Sequence, residues 1–400
     1  MDQGSIFTRN FNLTLRSRLE VFTPFIQILI GPRQVGKTTA VKQIIDEYGE
    51  KASYLNLENI GPDPHEKIRF EWRRLNNLAG HKIIALDEIQ NVPDWAVLIK
   101  ELYDEVRPDK ELSVVILGSS ALELLLRGEE SLLGRFEIIR APHWSFQESK
   151  NAFGWDLDTF LQFGGYPSIS EILKDNSIQA KRRVQVFIRD SIIEPVITRD
   201  ILSLQSVMNT ALFRQILTVS LSLPCEEISF AKLLGQLSEK GSTVTVKNYL
   251  ELLEKGLLIK LLYRFSDGKI RQRTSSPKII PLAPALIHAF NNPDAILNDA
   301  AWFGHVFEAA VISRIAEISH FDFYYWSNSR EDVDLVIKDY NSIVGIEIKS
   351  GNVQDHRGLR AFKKEFPRAK TLMINRNSGE EILSSPQPEE VIEKLISLQN

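Results

Sequence analysis

Eight consecutive residues, Gly31-Pro32-Arg33-Gln34-Val35-Gly36-Lys37-Thr38, carry the most specific chemistry in this chain. Two glycines let backbone N–H groups curl around phosphate oxygens, a lysine reaches the β and γ phosphates, and a hydroxyl faces a metal ion. This is a complete Walker A pattern. The apolar run Phe25-Ile26-Gln27-Ile28-Leu29-Ile30 leads into it, and a helix is expected from Thr38 to Glu47, whose positive dipole end adds to the phosphate site. Gly31, Pro32, Arg33, Gln34, Val35, Gly36, Lys37, Thr38 and Thr39 are the candidate contacts to ATP, with Thr38 also a metal ligand. A second apolar run, Ile83-Ile84-Ala85-Leu86, ends in Asp87-Glu88. Asp87 is suited to hold Mg2+ through its water shell, and Glu88 to orient and partly deprotonate the water that attacks the γ-phosphate. Acid pairs at strand tips are common; following a phosphate loop, this one reads as a Walker B site.

Two further positions have two readings each. The run Ser113-Val114-Val115-Ile116-Leu117 enters Gly118-Ser119-Ser120, where Ser119 or Ser120 either senses the γ-phosphate or caps a helix expected over Ala121–Leu126. Arg135 either reaches a neighbouring subunit's γ-phosphate, a role worth several powers of ten in rate, or is a plain surface arginine.

A second set of chemistry-bearing residues lies near the C-terminus. Glu308 falls in a helix expected from Trp302 to about Ile318, Asp334 in Val333-Asp334-Leu335-Val336-Ile337, and Glu347 and Lys349 in Val344-Gly345-Ile346-Glu347-Ile348-Lys349. Side chains two apart on a strand share a face, so Glu347 and Lys349 point the same way, and Asp334 can meet them from an adjacent antiparallel strand. Glu308, Asp334, Glu347 and Lys349 together are similar to a PD-(D/E)XK nuclease site, in which Asp334 and Glu347 would bind a metal that activates water and Lys349 would position that water. The alternative is an ion pair on the wet face of a sheet. Val333 stands where the superfamily's name has proline.

At 400 residues the chain has room for two or three domains, and 43% hydrophobic residues supply their cores. Its 48 basic and 52 acidic side chains nearly cancel, so attraction to nucleic acid must come from a local patch. Cys225 is the single cysteine and the seven histidines show no zinc spacing, which points to a reducing, cytoplasmic setting without a thiolate metal cluster. No apolar run reaches membrane-spanning length, and no leader is evident at Met1-Asp2-Gln3-Gly4.

Between the two sites, residues 144–204 show helical periodicity, interrupted by Gly164-Gly165-Tyr166-Pro167. Lys181-Arg182-Arg183 is a short cationic run that could meet phosphate, but three charges on a helix face are usually only solvated. Ser229-Phe230 opens a helix, Gly241-Ser242-Thr243 turns into a second over Val244–Leu253, and Leu257–Leu262 starts a hairpin, a winged-helix pattern. Its second helix offers Lys247 against Glu251 and Glu254, a poor phosphate surface. The stretch Lys255–Lys278 is richer, with Lys255, Lys260, Arg264, Lys269, Arg271, Arg273 and Lys278 against Asp267. This wing either meets DNA or packs on protein.

The segment Ala85-Leu86-Asp87-Glu88-Ile89-Gln90-Asn91-Val92-Pro93-Asp94-Trp95, the Gly164-Gly165-Tyr166-Pro167 turn and the C-terminal acids give the chain a resemblance, over nearly its whole length. It resembles the AAA-superfamily (AAA+) P-loop ATPases of bacteria and archaea that carry a C-terminal restriction-endonuclease-like domain. The resemblance implies an ATP-binding core, a helical lid, a winged helix and a last domain of unassigned role. One departure is Leu282-Ala283-Pro284-Ala285-Leu286, where the family pattern has an aspartate and a glycine.

The expected fold class is α/β: a P-loop NTPase with a parallel sheet and helices on both faces (1–143), a helical lid (144–204), a winged helix (205–275) and an α/β PD-(D/E)XK-like domain (276–400). The expected activity is magnesium-dependent ATP hydrolysis that repositions the winged helix and nuclease-like domain, in a possible homo-oligomer. The alternatives are an ATP-gated DNA nuclease, or a slow nucleotide switch whose C-terminal domain is silent.

Overall fold

The computed structural model describes residues 7–20, 25–58, 61–106, 111–118, 132, 134–175, 177–202, 207–237, 239, 241–266, 275–292, 294–318, 320–339, 342–351 and 356–399. The chain divides into two compact units. The first comprises Met1–His143 and Ile192–Ser206; the second comprises Trp144–Ser191 and Val207–Asn400.

In the first unit the apolar runs form strands and the amphipathic stretches between them form helices: α1 (Asn10–Glu20), β1 (Ile26–Ile30), α2 (Lys37–Tyr48), β2 (Ala52–Asn56), α3 (Pro64–Asn76), β3 (Lys82–Asp87), α4 (Trp95–Val106), β4 (Leu112–Leu117) and β5 (Phe136–Arg140). The sheet order is β2-β3-β4-β1-β5, all parallel. β1, β3 and β4 are buried along their whole length, as strands covered on both faces must be. Local chemistry sets the helix ends. Asp63 accepts from Glu66 N at 3.0 Å with Pro64 at the first helical position, which starts α3 where a missing N–H does no harm. Trp95 opens α4 fully buried beside Trp72 and Leu86, so the tryptophan that follows the paired acids serves the core.

The topology places chemistry at one edge. β4 lies between β1 and β3, and in a parallel sheet all the carboxyl ends share a side, where ligands bind. The loop after Ile30 and the acids after Leu86 therefore emerge on that side. Arg135 sits at the other. It immediately precedes β5, whose Phe136 pairs with Ile26 at the start of β1, about five residues or ~16 Å along the strand from the phosphate loop.

The second unit holds a mixed six-stranded sheet. Its strands are β6 (Ile259–Arg264), β7 (Lys278–Pro281), β8 (Asp322–Ser327), β9 (Asp332–Lys338), β10 (Ile343–Ile348) and β11 (Lys370–Ile374), in the order β11-β10-β9-β8-β6-β7. The expected wing hairpin is β6–β7, and the structure corrects its setting. β6 does not stand free: it pairs in parallel with β8 through Tyr263 and Arg264, extending the sheet that carries the acids. Helices Phe230–Gln236 and Thr243–Lys255 form as the sequence suggests, each capped by a serine, Ser229 and Ser242. Asp267, Lys269, Arg271 and Arg273 lie outside the described residues.

Gly164-Gly165-Tyr166-Pro167 is a packed turn. A Cβ on Gly164 would lie 2.3 Å from the Phe160 ring, Gly165 has φ +114°, and Tyr166 is buried. Lys181 pairs with Asp294. The helix Pro388–Gln399 lays Val391, Ile392, Leu395 and Ile396 onto the core beneath the sheet, together with the helix Ala300–Ile315.

Candidate functional site

Local geometry fixes the phosphate loop. Gly31 must be glycine because a Cβ there would meet the Ala141 carbonyl oxygen at 2.1 Å, where β5 closes against β1. Gly36 has φ +96°, a conformation costly for other residues, and hands the chain to α2. Gln34 takes the left-handed region at φ +58°, and so does Glu88 at +57°. Strained non-glycine backbone of this kind persists only where its surroundings enforce it. Arg9, buried ahead of α1, donates to the carbonyl oxygens of Val35, Pro142 and His143, tying the loop to the end of β5.

Around that loop the expected residues gather. Lys37 Nζ donates to its own loop, to Gly31 O at 2.9 Å and Pro32 O at 2.6 Å. Burial pulls the Lys37 pKa down to about 8, against the attraction of Glu88 and Asp87. Thr38 Oγ1 donates to Asp87 Oδ2 at 2.7 Å, joining the two motifs across 49 residues. Tyr54 OH, from β2, donates to the same oxygen at 2.6 Å. Burial raises the Asp87 pKa, and the Tyr54 and Thr38 hydrogen bonds oppose it. Glu88 accepts from Gln90 Nε2, while its backbone N donates to Leu117 O at 2.9 Å, so β4 sets where the acid stands. Thr39 is exposed one residue along α2.

Arg33 is held by a residue the sequence reading missed. Its Nε and Nη2 donate to the two carboxylate oxygens of Asp200 at 2.8 and 2.5 Å, and Asp200 is 4% exposed. Asp200 belongs to the wide helical turn Val196–Ile201, in the segment where the chain returns to the first unit. The signal available was an acid beside Ile197 and Ile201 in an otherwise apolar face. Tyr54 carried a fainter one, a polar ring near the tip of a parallel strand; Arg9 carried none.

Two candidates stand apart. Ser119 lies outside the described residues, as do Ser120 and the helix expected after it. Arg135 is engaged by Asp104, its Nε and Nη2 both at 3.0 Å from that carboxylate, on the edge away from its own phosphate loop.

The donor set at Thr38 and Asp87 suits magnesium. It offers hydroxyl and carboxylate oxygen without nitrogen or sulfur, and few protein ligands, leaving positions for water and phosphate oxygens as this cation prefers.

In the second unit the structure brings Glu308, Asp334, Glu347 and Lys349 together. The β9–β10 register pairs Leu335 with Ile346, setting Asp334 beside Glu347. Lys349 Nζ is 2.5 Å from Glu347 Oε1 and 3.8 Å from Asp334 Oδ2, and Ile348 N donates to Asp334 Oδ2 at 2.8 Å. A fifth member was not anticipated. Lys278, counted above among the wing's phosphate-facing charges, is 7% exposed, and its Nζ lies 2.9 Å from Glu308 Oε1 and 3.4 Å from Asp334 Oδ1. That reading of Lys278 is corrected: as the first residue of β7 its side chain turns inward to the acids. Burial, with Asp334 nearby, raises Glu308 to about 7 and Glu347 to about 8. Glu347 Oε2 is buried without a hydrogen-bond partner. Asp334 and Glu347, expected as metal ligands, face ammonium groups in this arrangement, and the donor set does not fit a divalent cation. Among the described residues no group of three or more His, Cys, Asp or Glu side chains is arranged to hold one.

The sheet order, the glycine-rich loop and the joined Thr38–Asp87 pair define a P-loop nucleotide-binding fold. Residues 23–150 match a family model described as an AAA domain. Residues 154–295 and 303–390 match two models described as domains of unknown function, DUF8612 and DUF4143. An uncharacterized protein of Mycobacterium tuberculosis, Rv2008c, is 26% identical over 332 residues, covering 81% of this chain and 70% of that protein. The uncharacterized Methanocaldococcus jannaschii protein MJ1544 is 27% identical over 267 residues, covering 60% and 57%. Among solved structures, Aeropyrum pernix Orc1 in complex with DNA superposes with a TM-score of 0.34 at 16% identity, covering 73% of this chain and 94% of that one. The replication initiator DnaA bound to AMPPCP and single-stranded DNA gives 0.33 at 15%, covering 61% and 86%. Superpositions this loose support no inference about ligands. No helix among the described residues is long and apolar enough to cross a membrane.

Proposed function

We propose that the first unit binds ATP with magnesium and hydrolyses it. The observation that carries this reading is the Thr38–Asp87 hydrogen bond at the carboxyl edge of the parallel sheet, directly beside a preformed phosphate loop. The loop's backbone N–H groups, which Pro32 lacks, would receive the phosphates at the amino end of α2. Lys37 is curled on its own carbonyls and would turn to the β and γ phosphates, gaining an anion in place of neutral acceptors. Thr38 and Asp87 would hold magnesium, which offsets charge on the phosphate oxygens when bound. Glu88 would orient the attacking water, with Gln90 fixing its carboxylate. Ser119 would sense the γ-phosphate, and Arg135 would act on a neighbouring subunit's site in a homo-oligomer. Nucleotide state would then be relayed through Arg33 and Asp200 to the segment Ile192–Ser206, and so to the rest of the chain.

The experiment is isothermal titration with ATP and magnesium, alongside phosphate release. Binding lost in Lys37→Ala, and binding retained without turnover in Glu88→Gln, are the expected results. Equal turnover in both variants and wild type would reject the mechanism.

A second reading concerns the helical and C-terminal regions. We read residues 144–204 as a lid, 205–275 as a winged-helix relative and 276–400 as a nuclease-like fold serving as an interaction platform, with DNA one partner to test. The gathering of Glu308, Asp334, Glu347 and Lys349 on one sheet supports the nuclease-like architecture. A gel-shift series with DNA, with and without ATP, tests the platform.

A further inference from the structure

The acids of the second unit form a row with the lysines between them: Glu308, Lys278, Asp334, Lys349, Glu347. Lys349 belongs to the pattern a nuclease-like site requires. Lys278 does not. It comes from a different strand, β7, more than fifty residues before Asp334, and its ammonium sits between Glu308 and Asp334, the place where two carboxylates would otherwise converge on a cation.

Nothing about Lys278 suggests a temporary visitor. Its backbone is pinned on both sides, by Leu262 of β6 and by an isolated bridge to Glu227, and its side chain is 9% exposed. The oxygens it approaches, Glu308 Oε1 and Asp334 Oδ1, are those an ion in that gap would need, and an ammonium and a divalent cation repel each other at such range. Asp334 Oδ2 is committed to Ile348 N and faces Lys349. Glu347 Oε2 has no hydrogen-bond partner, but with Lys278 and Lys349 held against Glu308, Asp334 and Glu347 the carboxylate oxygens left over are too few to strip water from a hard cation.

We propose that Lys278 is a built-in counter-ion standing between Glu308 and Asp334 in place of a divalent cation, so that this cluster takes no metal and performs no metal-dependent hydrolysis. The fold keeps the shape of a nuclease site, and the lysine of a neighbouring strand fills its metal position. This goes beyond the ATPase reading and does not depend on it.

The test is titration of the full chain with manganous ion alone, without nucleotide, followed by electron paramagnetic resonance, in an Asp87→Asn background that removes the first unit's carboxylate ligand. With Lys278 intact, no bound ion is expected. Lys278→Met, close in length but uncharged, should gain a bound ion that a further Asp334→Asn change abolishes. Lys278→Gln, which can still hydrogen-bond Glu308, serves if the methionine variant does not fold. The assignment is overturned if the chain with Lys278 intact binds an ion that Asp334→Asn removes, or if a folded Lys278 variant gains none. Should neither variant fold, the arm with Lys278 intact decides in either direction.

Discussion

Arg33, inside the phosphate loop, and Asp200, 167 residues later, form a two-pronged ion pair in which both guanidinium prongs meet both carboxylate oxygens. Asp200 is more deeply buried than Arg33, with side-chain exposures of 6% and 18%. Asp200→Ala therefore leaves a half-buried guanidinium without its anion, and is expected to destabilise the fold by about 2 kcal/mol, below the range for fully buried pairs because water still reaches Arg33. Denaturant unfolding of both single variants and of Arg33→Ala with Asp200→Ala should show that the double change costs less than the sum. Additive effects would mean the pair contributes nothing by its contact.

Nucleotide affinity should depend on pH through Lys37. Its pKa is near 8 while its ammonium touches only neutral carbonyls, and a polyphosphate beside it would raise that value. Binding then takes up a proton near pH 8. Affinity should be flat below that and fall by up to tenfold per unit above it, as the free protein loses the charge it needs. Titration calorimetry in two buffers of different ionisation enthalpy checks the proton count.

Glu88→Gln keeps the shape of the side chain and removes its basicity. Turnover is expected to fall by ~10²–10⁴ with ATP affinity within a few-fold of wild type. Single-turnover hydrolysis measures the first and equilibrium titration the second.

Glu308 and Glu347 make the opposite linkage from a salt-bridged surface acid. Burial raises both above the ordinary 4.5, to about 7 and about 8, so between those values the folded chain holds protons that the unfolded chain has released. Their contribution to stability is complete below about pH 4.5 and is lost as pH rises through 7 and 8. Melting temperature should decline over that window, and Glu308→Gln or Glu347→Gln should flatten the decline. An unchanged slope in both variants would contradict the assignment.

How much of this was legible in the sequence follows from distance along the chain. The phosphate loop, Asp87 and Glu88 were readable because each is a local pattern: glycines and a lysine at fixed spacing, or acids ending an apolar run. The alternation that put Glu347 beside Lys349 was local too, and an antiparallel neighbour sufficed to bring in Asp334. Asp200, Tyr54, Arg9 and Lys278 were not readable as site residues. Each reaches its partner through contacts distant in sequence, and the residues beside it, even the apolar ones around Asp200, do not say which partner it meets. Lys278 is the sharpest case. Its immediate neighbours, Pro277 and Ile279, point to no acid, and only the pairing of β6 with β8 makes its strand the edge of another sheet and turns the lysine toward buried acids.

The return of the chain through Ile192–Ser206 has a practical consequence. A fragment ending at His143 would include every residue of the two nucleotide motifs and yet be missing Asp200, so Arg33 would lack its counter-charge. The first unit is thus not severable by one cut. Proteolytic nicking between residues 143 and 192 should leave its pieces associated, and dissection by truncation would report a defect that belongs to the scissors.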